Sequence, residues 1–138
     1  MIKIEGDLLM FDKPSLNSFV FSKDCKINIP DIIPICNVDT TGESLATPIG
    51  HITSTTRSET GIAIEGVLIN QYEDIYRAAI KESGIYFGGY FGSCESHEEN
   101  GVDILTDARL LSVGLYMHDV YGDNSCKVYI VEEVNDND

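Results

Sequence analysis

Serine and histidine are the side chains of this 138-residue chain that could support nucleophilic catalysis. That chemistry needs a nucleophile, a proton acceptor within hydrogen-bond reach, and a third group that orients the acceptor. Ser112 and His118 are six residues apart, which spans about 20 Å of strand, so we do not expect them to lie on one strand face and touch. Ser83 precedes Gly84, which favours a role in ending a helix. His51 lies in a strand pattern that favours a structural or half-exposed histidine over a relocated base, so no Ser-His-Asp set is predicted.

Cysteine and histidine also suggest metal binding, because Cys94 and His97 form a C-x-x-H pair. Further ligands could come from His118, Asp119 and Cys126. Structural zinc normally uses two compact ligand pairs on turns, whereas this second set is spread along the chain. The sequence therefore predicts no metal site, and nothing in it calls for a cofactor.

Composition is typical of a globular protein, with 43% hydrophobic and 23% charged residues. The length predicts one domain, which we place at residues 1–134, followed by an acidic tail at 135–138. Nine Lys and Arg residues stand against 23 Asp and Glu residues, which gives a formal net charge of −14. Such a charge repels phosphate backbones, so we expect no direct binding to nucleic acid.

Neither a signal peptide nor a membrane span is expected, because no basic segment precedes an apolar run and no apolar run is long enough to cross a bilayer. The cysteines are even in number but widely spaced. Without an export signal, we expect reduced thiols in a cytoplasmic setting. The four thiols are Cys25, Cys36, Cys94 and Cys126.

Alternating apolar residues predict strands along most of the chain. The first strand has an interruption at Gly6 and Asp7, where a bulge or a short turn is expected. Pro30 and Pro34 cannot donate to a central ladder, so they mark edges or strand starts. The runs ATPIGHITSTT and TGIAIEGVLIN predict a hairpin, because the polar residues Arg57–Thr60 separate them.

One helix is predicted over Gln71–Lys81, because its apolar residues recur at helical spacing, and Gly84 should end it. The polar run Ser93–Gly101 predicts a solvated loop, and Val102–Tyr116 a long strand. Six to eight strands with one clear helix favour a mainly β (α+β) fold. We expect an antiparallel β-barrel or sandwich with one or two helices packed on it.

Three segments in order resemble the prohead proteases of tailed bacteriophages. These are capsid-maturation serine proteases whose fold is shared with the herpesvirus assemblins. The first segment is PIGHI at Pro48–Ile52, and the second is ETGIAIEGVLIN with the helix and SGIYFGGYF at Ser83–Phe91. The third is ARLLSVGLY at Ala108–Tyr116. The resemblance spans roughly residues 1–120 and implies a prohead-protease-like fold.

The resemblance also locates the positions of the family's catalytic residues, and none keeps its chemistry. The histidine position falls on Val38, which cannot accept a proton. Tyr86 stands where the family has its serine nucleophile, and a phenol without a neighbouring base is a poor substitute. The acidic position falls on Ser112. The resemblance therefore implies a protease fold that no longer cleaves.

The aromatic residues that follow the helix have two interpretations. As core residues, alternate members point inward while the intervening glycines allow close packing. As an interface, the exposed members are anchors for a partner, and a former active-site groove lined with aromatics suits a peptide arm. The four candidates are Tyr86, Phe87, Tyr90 and Phe91.

Together these expectations favour a non-catalytic structural virion protein, an auxiliary or decoration protein that binds the exterior of a phage capsid after synthesis in the host cytoplasm. The expected partner is the major capsid protein or another virion protein. Docking should use edge strands and the loops Asp39–Ser44 and Ser93–Gly101, with a monomer in isolation and many copies on the capsid. The alternative is an active maturation protease whose catalytic residues lie elsewhere. A third possibility is a scaffold-associated or host-directed binding module.

Overall fold

Strands make up most of the computed structural model, which describes residues 1–37 and 47–131. The sequence prediction of a mainly β protein is confirmed. Within these ranges one α-helix, α1 (Glu73–Glu82), follows a 3-10 turn at Asn70–Tyr72. The strands are β1 (Lys3–Met10), β2 (Phe19–Asn28), β3 (Pro34–Asn37), β4 (Thr47–Arg57), β5 (Gly61–Leu68), β6 (Tyr86–Glu99), β7 (Val102–Tyr116) and β8 (Tyr129–Ile130).

The sheet is mixed, so the predicted antiparallel arrangement holds for most of its ladders but not for the two that join β7 to β2 and β3. The order is β2-β7-β3-β4-β5-β1-β8, and β6 also pairs with β7. Strand β7 runs parallel to both β2 and β3 but antiparallel to β6. Across the described residues the ladders leave the sheet open, so they do not form the predicted barrel. Parallel pairing joins segments that are distant in sequence, and alternation of apolar residues carries no signal for its direction.

Two hairpins organise the sheet, and the sequence predicted only one of them. Strands β4 and β5 pair antiparallel, as expected. The predicted loop Ser93–Gly101 is wrong, because β6 continues to Glu99 and turns into β7. Asn100 and Gly101 have φ angles of 53° and 82°, as the type I′ turn of a two-residue hairpin requires. Both faces of this stretch are polar and exposed, which is why it resembles a loop in sequence.

The interruption predicted in the first strand is confirmed, because the β1–β5 register shifts between Asp7 and Leu9. Pro34 begins β3, so the prediction that it marks either an edge or a strand start is met by the second of these roles. However, β3 lies between β7 and β4, so this proline does not protect a sheet edge. Pro34 therefore marks a strand start and not a sheet edge.

The core is built mainly from strand residues, and α1 adds Tyr76 and Ile80 to it. The predicted helix is confirmed with a shift of two residues at its start and one at its end. Gly84 has a φ of 81°, and its N–H and that of Ser83 both donate to the carbonyl of Ala79. The helix therefore ends where the sequence predicted.

No helix in the described ranges is long and apolar enough to span a membrane. The predicted tail at 135–138 lies outside those ranges.

Candidate functional site

Tyr86 and Ser112 are the two expected positions of the prohead-protease catalytic residues that lie within the described ranges. They lie apart on one hairpin. Tyr86 pairs with Tyr116 at the start of β6, whereas Ser112 pairs with Tyr90. Four residues of strand separate these two rungs, which corresponds to about 13 Å. Val38, the third position, lies outside the described residues. The described part of the chain does not bring Tyr86 and Ser112 together.

The hydroxyl of Tyr86 donates a hydrogen bond to Oδ1 of Asn124 at 3.0 Å. An amide oxygen is not a general base, so this partner does not activate the phenol. The backbone of Tyr86 also forms an isolated antiparallel bridge with Lys127. Tyr86 thus connects the start of β6 to the segment after β7.

His51 and Ser112 lie nearer to each other than the sequence suggested, yet they form no catalytic pair. His51 pairs with Pro34, and the parallel register of Ile35 with Val113 places Pro34 beside Ser112. One strand therefore separates the two side chains, so their backbones lie about 10 Å apart. His51 is exposed, more so than the structural or half-exposed histidine that the sequence predicted. Within the described ranges, no serine hydroxyl is hydrogen-bonded to any of the three histidines.

The cysteines and histidines do not form a compact ligand set. Cys94 and His97 lie in the exposed second half of β6, and the described residues hold no group of three or more His, Cys, Asp or Glu side chains that could bind a metal ion. All four cysteines are free, and Cys94 alone is exposed. The thiol of Cys126 donates to the carbonyl of Leu8 at 3.5 Å, and burial raises its pKa to about 12.

The aromatic candidates divide between core and surface. Phe87 is 1% exposed, so it belongs to the core and is not accessible to a partner. Phe91 is half-buried, and its ring centroid lies 5.0 Å from that of Phe21. Tyr90 is 58% exposed on the opposite face of β6 and remains a candidate anchor.

A largely apolar groove of about 370 Å³ lies where the sheet is open, between β6 and the end of β1. We call it the seam groove. Asn17 and His118 add polar groups to its lining. Its apolar lining includes Leu8, Leu9, Leu16, Phe19, Phe21, Gly88, Gly89 and Phe91.

The segment after β7 forms one wall of the seam groove and is held by buried polar contacts. The carboxylate of Asp119 accepts hydrogen bonds from the N–H groups of Tyr121 and Cys126, each at 2.8 Å. Burial raises the pKa of Tyr121 to about 12, and its hydroxyl hydrogen-bonds the backbone of Met10. In the sequence, Asp119 is only a candidate metal ligand. An Asp three residues before Gly122, whose φ is 75°, is the turn signal that would have indicated this role.

Beyond the groove, the β6–β7 hairpin forms an acidic arm, which we define as residues 93–107. Glu95 pairs directly with Asp107, and Glu98 pairs with Asp103. Like charges placed directly opposite each other destabilise a sheet. No Lys or Arg lies between Lys81 and Arg109 to offset them. On the neighbouring strand, Lys26 of β2 pairs with Asp107 at the base of the arm. The arm therefore presents a net negative charge next to the groove that is only partly offset.

A second groove, of about 510 Å³, lies on the outer face of β1 and β5. Glu5 and Glu65 pair directly in the β1–β5 ladder and both line this groove, and Oγ of Ser54 donates to Glu65 at 3.2 Å. Burial raises the pKa of Asp7 at the same groove. This groove is polar, whereas the seam groove combines apolar lining with an open strand edge.

Comparisons with known proteins identify no relative. No family model matches the chain, and searches of curated proteins and of solved structures each gave no match. The resemblance to prohead proteases therefore remains an expectation from short sequence segments.

Proposed function

We propose that this chain is a non-catalytic structural protein of a tailed-phage virion that decorates the outer surface of the capsid. Its partner is the major capsid protein or another virion protein. The proposal combines the sequence resemblance, which implies a capsid-associated protein, with the surroundings of the expected catalytic positions.

The observation that carries the proposal is the hydrogen bond from Tyr86 to Asn124. Tyr86 stands at the position of the serine nucleophile, and its hydroxyl proton is directed to an amide oxygen that cannot take it up. Ser112 lies about 13 Å away along the ladder. A protease would need a base at the position where this chain has an amide.

Charge supports a location on the exterior. A chain with a net charge of −14 is repelled by packaged DNA, and the acidic arm concentrates this charge on an extended hairpin. The outer surface of a filled capsid imposes no such repulsion. An acidic decoration protein also remains soluble as a monomer before it meets its partner.

Because the capsid is a repeating lattice, each copy of the chain needs only a modest affinity for it. Neighbouring copies on the shell raise the effective concentration of each contact, so modest individual interfaces suffice. The exposed ring of Tyr90 and the apolar seam groove supply the kind of anchors that carry association energy.

Co-sedimentation with empty, mature capsids that lack the protein tests this function. We expect saturable binding at low salt that weakens as the ionic strength rises above about 0.15 M, where charges beyond about 8 Å are screened. Absence of co-sedimentation at low salt would refute decoration. Binding to unassembled scaffold instead would favour the binding-module interpretation.

A further inference from the structure

We propose that β6 accepts an extended, basic segment of the partner as an additional strand, with apolar side chains of that segment in the seam groove. This inference rests on the proposed function and specifies which surface of the chain and which kind of partner sequence make the contact. Strand addition of this type uses main-chain hydrogen bonds for affinity and side-chain pockets for specificity.

The outer edge of β6 is open over most of its length. Its first residues are covered, because Tyr86 bridges Lys127 and the N–H of Phe87 donates to the carbonyl of Cys126 at 2.9 Å. From Gly88 to Glu99, no described strand other than β7 pairs with β6. Residues two apart along a strand direct their N–H and C=O groups to the same edge of that strand. The groups of Phe87 point to the outer, covered edge. Those of Gly89, two residues further on, therefore point to the same outer edge where it is open, at the seam groove.

Strand β2 provides a contrast, because its edge is protected. The guanidinium of Arg57 donates to the carbonyls of Lys23 and Cys25 at 2.9 and 2.8 Å, and it lies 4.7 Å from the ring centroid of Phe11. A cation over the carbonyls is one way in which proteins protect a sheet edge from pairing. Along β6 no Lys or Arg is present to do the same.

The charge pattern along β6 defines the occupant. The groove end of the edge, at Gly88–Phe91, is apolar, and the arm end carries Glu95, Glu98 and Glu99. A strand laid along this edge therefore meets apolar surface at one end and carboxylates at the other. Apolar residues followed by Lys or Arg fit that sequence of surfaces. A second copy of this chain does not, because parallel addition of its β6 would place two acidic arms against each other and antiparallel addition would place an acidic arm against the apolar groove end.

Binding of short synthetic peptides to the full chain tests the inference. The first probe is the acetylated peptide KTKTKTLTLTLT, whose lysines lie against the acidic arm in antiparallel addition. The second exchanges the two halves, which suits parallel addition, and a third replaces every Lys with Glu. We expect one of the two lysine peptides to bind by fluorescence anisotropy, and the Glu peptide to bind at least about tenfold more weakly.

Two exposed positions provide matched variants. Leu16 is 70% exposed at the groove, so Leu16→Asp should leave the fold intact while weakening the peptide at least about threefold. Ile32→Asp, at a residue that is 80% exposed and does not line the groove, should change nothing. Likewise Glu98→Lys on the arm should weaken binding, whereas Glu82→Lys at the end of α1 should not.

Amide hydrogen exchange distinguishes strand addition from loose charge attraction. Bound peptide should slow exchange of the Gly89 amide, because that N–H becomes part of a ladder. Failure of both lysine peptides to bind, or binding that leaves Gly89 unprotected, would overturn the inference. Capsid binding without peptide binding would leave the proposed function standing and remove only this inference. Peptide binding without capsid binding would refute the proposed function and leave strand addition at β6 standing.

Discussion

The hydroxyl of Tyr121 makes hydrogen bonds with both main-chain groups of Met10. It accepts from the N–H at 2.9 Å and donates to the carbonyl at 3.2 Å. The last residue of β1 is thereby joined to the segment that follows β7, across the groove. Together with the carboxylate of Asp119, the Tyr121 side chain thus fixes one wall of the seam groove.

Replacing Tyr121 with Phe should lower the free energy of unfolding by about 1–3 kcal/mol, because the N–H of Met10 loses its partner in a partly buried position. Urea denaturation followed by circular dichroism measures this change. Tyr90→Phe is the control, since that side chain is largely exposed and should change stability by no more than about 0.5 kcal/mol. Equal effects of the two substitutions would contradict a structural role for the Tyr121 hydroxyl.

Stability should fall in alkali, because burial raises the pKa of both Cys126 and Tyr121 to about 12. The folded chain keeps these protons while the unfolded chain releases them from about pH 9 for the thiol and about pH 10 for the phenol. The contribution is therefore fully present below about pH 9 and is lost as the pH rises towards 12. Each group costs about 1.4 kcal/mol per pH unit while only the unfolded form is ionised.

The variant Cys126→Ala isolates the thiol in this titration. Urea denaturation at several pH values from 8 to 11 should show a shallower loss of stability in the variant than in the original chain. Identical slopes would show that the Cys126 thiol does not contribute, contrary to its burial and its contact with Leu8.

Thiol labelling should separate one cysteine from the other three. In the native chain a maleimide should react with Cys94, which is exposed, and not with the buried Cys25, Cys36 and Cys126. Desolvation also raises the pKa of Cys25 and Cys36, which lowers their thiolate fraction. After denaturation without reductant, all four should react, as mass spectrometry can count. Fewer than three labels would indicate a disulfide and contradict the expectation of reduced thiols.

The protein should be proteolytically inert. Purified chain mixed with capsid and scaffold proteins should give no specific fragments on a gel, because Tyr86 has no base beside it and Ser112 lies far along the ladder. Specific cleavage that is abolished by Ser83→Ala or Ser112→Ala would contradict this expectation. That result would favour the alternative of an active maturation protease.

Local features of the fold were predictable because each depends on residues close in sequence. Helical spacing of apolar residues located α1, and Gly84 located its end. The direction of pairing between β7 and its neighbours was not predictable, since it joins segments separated by most of the chain. The length of β6 was missed because Ser93–Glu99 buries neither face, although Asn100 and Gly101 carried a hairpin signal.

The candidate site was less predictable than the fold. The seam groove is assembled from β1, β2, β6 and the segment after β7, so no local pattern contains it. Alternation predicted that some aromatic residues after the helix would point inward, but only the structure assigns Phe87 to the core and Tyr90 to the surface. The structural role of Asp119 was missed because its partners are backbone N–H groups, which a sequence does not display.

Mass spectrometry of purified mature particles tests the central claim most directly. If the chain decorates the capsid, mature virions contain it intact and in many copies, and mild high-salt washing releases it from the exterior. A chain that is absent from mature particles, or present only in immature shells together with processed capsid protein, would contradict decoration and favour a maturation protease.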